Sequence, residues 1–121
     1  MKERSNKFGQ FISEQRIKKR LQSQELSKRL GISLGYLSQL EHGKRLCPDL
    51  DLLKKMIKVF DLNTEETNAL YDLYAEASGQ ISPDIAEYVQ SSNTVKKALR
   101  CARDASATDE HWERFIESLK R

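Results

Sequence analysis

A glycine sits between two short amphipathic segments in Ser23–His42, and this arrangement restricts the chain more than any other feature. Leu26 and Leu30 lie one helical turn apart, as do Tyr36 and Leu40, with Leu37 beside them. Gly31 follows the first periodic segment directly, where a left-handed helix cap is needed. Ser33 then offers a hydroxyl to cap a second helix. Ser27 is small, where two helices must come close. The pattern predicts a helix, a tight turn and a second helix, the helix-turn-helix unit.

The flanking sequence extends this unit. Phe8, Phe11 and Ile12 mark one face of a helix over residues 7–20, and Arg16 continues that stripe. A charge on an apolar stripe needs a partner. Glu41 stands in the same position after Leu37, so an Arg16–Glu41 ion pair is expected between the first helix and the second motif helix. Asp49 is the expected N-cap of a helix that buries Leu53, Met56, Ile57 and Phe60. Asn63 and Glu66 have the spacing of a capping box. The helix they open should bury Leu70, Leu73, Tyr74 and Ala77. Five short helices thus close a unit over residues 1–78, with residues 1–6 as a loose arm.

Residues 79–121 form a second region. Ser82-Pro83 has the form of an N-cap and a first-turn proline. Two further helices carry the stripes Val95, Ala98, Leu99, Ala102 and Trp112, Phe115, Ile116, Leu119, the last capped by Thr108. The whole chain therefore reads as all-α: five helices, then an extension of about three. So short an extension cannot build much core alone. Its apolar faces need cover from the first unit or from another subunit.

Charge separates the same two regions. Of the 121 residues, the first 60 hold 14 Lys or Arg against 6 Asp or Glu, and the remainder hold 7 against 12. The overall net charge of +3 conceals a basic half that suits a polyanion and an acidic half that does not. No apolar run is long enough to cross a membrane, and the N-terminus lacks a signal-peptide core, so a cytoplasmic location is expected. Cys47 and Cys101 are then expected as free thiols. The basic neighbours Lys44-Arg45 would lower the Cys47 pKa, but a plain small loop residue is the expectation; Cys101 is expected to pack as a small apolar group. With His42 and His111 they are too scattered for a metal site. No catalytic constellation or phosphate-cradling loop is present, and neither an enzyme nor a cofactor is expected.

Double-stranded DNA is the polyanion these residues fit. On the second motif helix, Gln39 can bond an adenine edge bidentately. Ser33 and Ser38 can bond bases or phosphates, and Leu34 can meet a thymine methyl. Tyr36 fits both the core and a DNA contact. Lys44 and Arg45, with Lys7 and Arg4 as an arm, should add salt-dependent affinity for phosphates.

Leu26, Ser27, Leu30, Gly31, Ile32, Leu37, Ser38, Leu40, Glu41, Gly43 and Pro48 also carry a family resemblance. Over about residues 8–78 the chain resembles the XRE family of helix-turn-helix regulators, the lambda-repressor-like and Cro-like group. The resemblance implies a sequence-specific transcriptional regulator, chiefly a repressor, acting as a homodimer. It implies that Gln39 touches base edges, that Arg16 and Glu41 pair, and that the Lys44-Arg45 loop contacts phosphates. Ser23 stands where the family usually places a phosphate-binding glutamine. Leu34 and Gly35 stand where polar base readers are frequent. The resemblance gives no role to residues 79–121. They are open to dimerisation, to completing the core, or to binding another protein, as in an antitoxin.

Overall fold

The computed structural model describes residues 6–47 and 49–120. The proposed arm residue Arg4 and the signature residue Pro48 lie outside them. Eight helices and no strand occur among the described residues: α1 Lys7–Lys18, α2 Ser23–Leu30, α3 Leu34–Glu41, α4 Leu50–Phe60, α5 Thr64–Ser78, α6 Pro83–Gln90, α7 Asn93–Asp104 and α8 Asp109–Leu119. The chain divides into two compact units, Met1–Ile85 and Ala86–Arg121, and the division falls within α6.

Local chemistry sets the ends of the helices. Gly31 closes α2 with φ 71°, a left-handed conformation that costs glycine little and other residues more. Ser33 Oγ accepts the Tyr36 N–H at 3.0 Å and caps α3. Asp49 Oδ1 accepts the Leu52 N–H at 3.0 Å and caps α4. At α5 both halves of the box form: Asn63 Oδ1 accepts the Glu66 N–H at 2.8 Å, and Glu66 Oε1 accepts the Asn63 N–H at 3.1 Å.

In the first unit α1 packs on α3 and α5, α2 on α3 and α4, and α4 on α5. Phe8, Ile12, Leu26, Leu30, Leu37, Leu40, Leu53, Met56, Phe60 and Leu70 are buried between them. The core differs from the expected stripes in α4 and α5. Leu52 and Tyr71 are buried, Ile57, Leu73 and Tyr74 are half-buried, and Ala77 is exposed. Helix α5 thus faces the core through Leu70 and Tyr71. Its last turn runs past the core edge, which leaves Ala77 outside.

Three further readings are decided at single residues. Cys47 is buried and its Sγ–H donates to the Asp49 carbonyl at 3.2 Å. Burial pushes its thiol up to about 11, so the neighbouring basic loop does not lower it. Cys101, expected to pack, is exposed on α7. Asn6, assigned to the loose arm, is held: its Nδ2–H donates to the Glu41 carbonyl at 3.0 Å.

In the second unit α7 is capped by Ser92, whose Oγ accepts the Val95 N–H at 3.2 Å. At the start of α8 the Thr108 N–H donates to His111 Nδ1 at 3.0 Å. Trp112 and Phe115 meet edge to face, with ring centroids 6.3 Å apart. No described residue from 86 to 120 is buried. The helices are well made locally, yet they enclose no core of their own.

Candidate nucleic-acid interface

Helix α3 has two opposed faces. Leu37 and Leu40 are fully buried on one. On the other, Ser33, Leu34, Gly35 and Ser38 are exposed, and Gln39 is half-buried. Leu34, at 45 % exposure, is a large apolar group in water on the first turn. Beside it, a Cβ added to Gly35 would meet nothing within 4 Å, so the helix surface is low there. Polar groups and one apolar knob on an open helix face can read base edges and thymine methyls in a major groove.

The interior face is locked to α1 by charge and by close approach. Arg16 Nη2 lies 3.2 Å from Glu41 Oε1, and Arg16 Nε donates to both carboxylate oxygens at 3.2 and 3.3 Å. Ser13 Oγ–H donates to Glu41 Oε1 at 2.5 Å, and Arg16 Nη1 donates to the Leu21 carbonyl at 3.3 Å. The nearly buried carboxylate is therefore saturated with donors, as burial of a charge requires. A Cβ on Gly9 would lie 2.5 Å from the Glu41 carbonyl oxygen and 2.6 Å from that of Leu40. Only a residue without a side chain lets α1 cross the end of α3 so closely.

Asn6, Gly9 and Ser13 are positioning residues that the sequence reading missed. Gly9 and Ser13 carried a signal, since small residues one turn apart on the Arg16 face mark a close helix crossing. The Asn6 contact has no sequence signature, because it depends on where the end of α3 falls in space.

The loop after α3 presents the basic groups. The Lys44 and Arg45 N–H groups both donate to the Gln39 carbonyl, at 2.9 and 3.3 Å, so the loop folds back over the helix end. His42 Nδ1 lies 2.7 Å from the Ser38 carbonyl, which can only accept, so the imidazole donates there. Lys7, His42, Lys44 and Arg45 line one open groove of about 770 Å³ with Asn6 and Glu76. The fold thereby gathers three of the expected phosphate-binding residues. Ser23 stands apart from them in the first turn of α2, half-buried, where the Gln22 side chain makes no capping bond.

Tyr36 faces inward. Its ring packs against the core edge, and its O–H donates to the Leu46 carbonyl at 3.5 Å. Burial raises its hydroxyl above the ordinary tyrosine range. Among the described residues no three His, Cys, Asp or Glu side chains gather as a metal site would need. No helix among them is long and apolar enough to cross a membrane.

This is the geometry of a helical DNA-binding domain: a two-helix motif braced by a third helix, with its second helix open on a polar face beside basic groups. Residues 12–66 match the family model described as helix-turn-helix. This segment is a helix-turn-helix domain of the XRE type, and it marks the chain as a DNA-binding transcription regulator of that type. No curated protein and no solved structure gave a match to the chain.

Proposed function

We propose that the protein is a cytoplasmic, sequence-specific repressor that binds a two-fold operator as a homodimer. Helix α3 enters the major groove. Gln39, Ser38, Ser33 and Leu34 face the bases, and Tyr36 supports the helix from its inner side. Lys7, Lys44 and Arg45 neutralise phosphates, and Ser23 meets another at the open N-terminus of α2. Residues 1–78 do the binding, and residues 79–121 join two copies.

The observation that carries this reading is the two-faced α3, buried through Leu37 and Leu40 and open through Ser33, Leu34 and Ser38. Selection of bound sequences from random DNA tests it, with the mass of the complex measured alongside. The expected result is a palindromic site, half-sites about one helical turn apart, bound by two chains. A set of selected sequences with no shared motif contradicts specific readout. Repression is tested by placing the selected site over a reporter promoter, where expression should fall when the protein is present.

A further inference from the structure

The second unit leaves its apolar stripes exposed. Leu99, Trp112, Phe115, Ile116 and Leu119 are exposed, at 41, 38, 53, 49 and 68 %. The apolar face of α7 is flanked by Lys96, Arg100 and Arg103, and that of α8 by Asp109, Glu113 and Glu117. Among the described residues, the ion pairs of this unit are local in sequence: Arg103–Asp104, Arg114–Glu110 and Lys120–Glu117. None joins the basic flank of α7 to the acidic flank of α8. Two helices of 12 and 11 residues with no buried residue between them do not make a stable unit.

We infer that α7 and α8 dock on the same two helices of a second copy, with each basic α7 flank against the partner's acidic α8 flank, closing a four-helix bundle. Two-fold symmetry repeats every contact, so one basic and one acidic flank per chain satisfy each other twice. The apolar stripes then meet at the centre, and the charges form the rim, where they select register and partner. A partner with only one charge sign would leave one flank unmatched. A second copy matches both flanks. The inference rests on the DNA-binding dimer proposed above and places its interface on the second unit.

The test is the mass of the full-length chain in the absence of DNA, for the wild type and two charge-reversed variants. The wild type should have twice the 14.0 kDa chain mass. Lys96→Glu with Arg103→Glu opposes acid to acid across the interface. Glu113→Lys with Glu117→Lys opposes base to base. Each variant alone should dimerise about tenfold more weakly or worse. Mixed in equal amounts, the two should form a heterodimer of near wild-type affinity, because both flanks then match. Recovery on mixing also shows that neither variant is misfolded.

A wild-type chain that stays monomeric at tens of micromolar overturns the inference, as does a mixture that recovers no dimer. A wild type that reaches higher mass only with a different co-purifying protein also overturns it and makes the tail a partner site. Gln39→Ala keeps the two readings apart. It should leave the dimer mass unchanged, so an intact dimer with no operator preference in the wild type would contradict the DNA reading alone.

Discussion

Helices α4 and α8 are both eleven residues long and both amphipathic, yet they stand in opposite situations. Helix α4 buries Leu52, Leu53, Met56 and Phe60, whereas α8 buries nothing and leaves Trp112, Phe115, Ile116 and Leu119 in water. The difference shows what an apolar stripe does and does not specify. It gives the helix a face that must be covered, but the cover comes from elements elsewhere. In the first unit α2 and α5 pack on α4. In the second unit the proposed cover is another chain, so its stability should depend on concentration while that of the first should not.

The largest expected effect comes from truncating one aromatic in each helix. Phe60→Ala should lower the unfolding free energy of the first unit by about 3–5 kcal/mol, since the ring is fully buried. Phe115→Ala should change that value by less than about 1 kcal/mol and weaken the dimer instead. Denaturant titration followed at two protein concentrations separates these outcomes. An equal loss from both substitutions would erase the contrast between the units.

Next in size is the brace between α1 and α3. Arg16→Met leaves the Glu41 carboxylate with Ser13 as its remaining side-chain donor. The cost should be about 2 kcal/mol, less than for a fully buried pair, because the Arg16 side chain keeps 21 % exposure. Chemical denaturation measures it, and an unchanged midpoint would show that the pair is only a surface contact.

A smaller effect belongs to the start of α5. Asn63→Ala should cost about 1 kcal/mol through loss of the cap. The Asn63 backbone N–H, which donates to Glu66 Oε1, and the contacts from Gln15 and Lys18 hold the Glu66 carboxyl below the ordinary glutamate range. A carboxylate depressed in the folded state adds stability that is present above its unfolded pKa. That stability is lost as pH falls through the lower folded value. Glu66→Gln should therefore lower stability at neutral pH, change it little in strong acid and so flatten the acid limb of the profile, which denaturant titration across pH measures.

The cysteines give a contrast without a stability change. At pH 8 a thiol-alkylating reagent should modify exposed Cys101 first. Cys47 should follow only on unfolding, because it is 1 % exposed and its pKa is about 11. Mass spectrometry of the singly modified protein locates the label.

Much of the first unit was legible because its signals are local. Gly31, Ser33, Asp49 and the Asn63–Glu66 box each act within one turn of chain, and each occurs at its expected place. The Arg16–Glu41 contact was legible for a different reason, since two opposite charges on apolar stripes require each other. The Asn6 anchor, the buried Tyr71 and the exposure of Ala77 were not legible, because they follow from how far α5 and the chain start extend past the core. The burial of Cys47 was not legible, because its sequence neighbours are basic while its spatial neighbours are apolar. For the interface, the polar face of α3 could be read from periodicity. The gathering of Lys7 with Lys44 and Arg45 around one groove is a product of the α1–α3 crossing that Gly9 permits.

The central claim is that α3 reads bases while the loop behind it holds phosphates. The most direct measurement compares Gln39→Ala and Lys44→Ala on the selected operator and on random DNA, across a range of salt. Gln39→Ala should lose about 1–3 kcal/mol on the operator and almost nothing on random DNA, with the salt slope intact. Lys44→Ala should weaken both alike and reduce the salt slope by about one. If Gln39→Ala left the operator preference untouched, base readout by this face of α3 would be wrong.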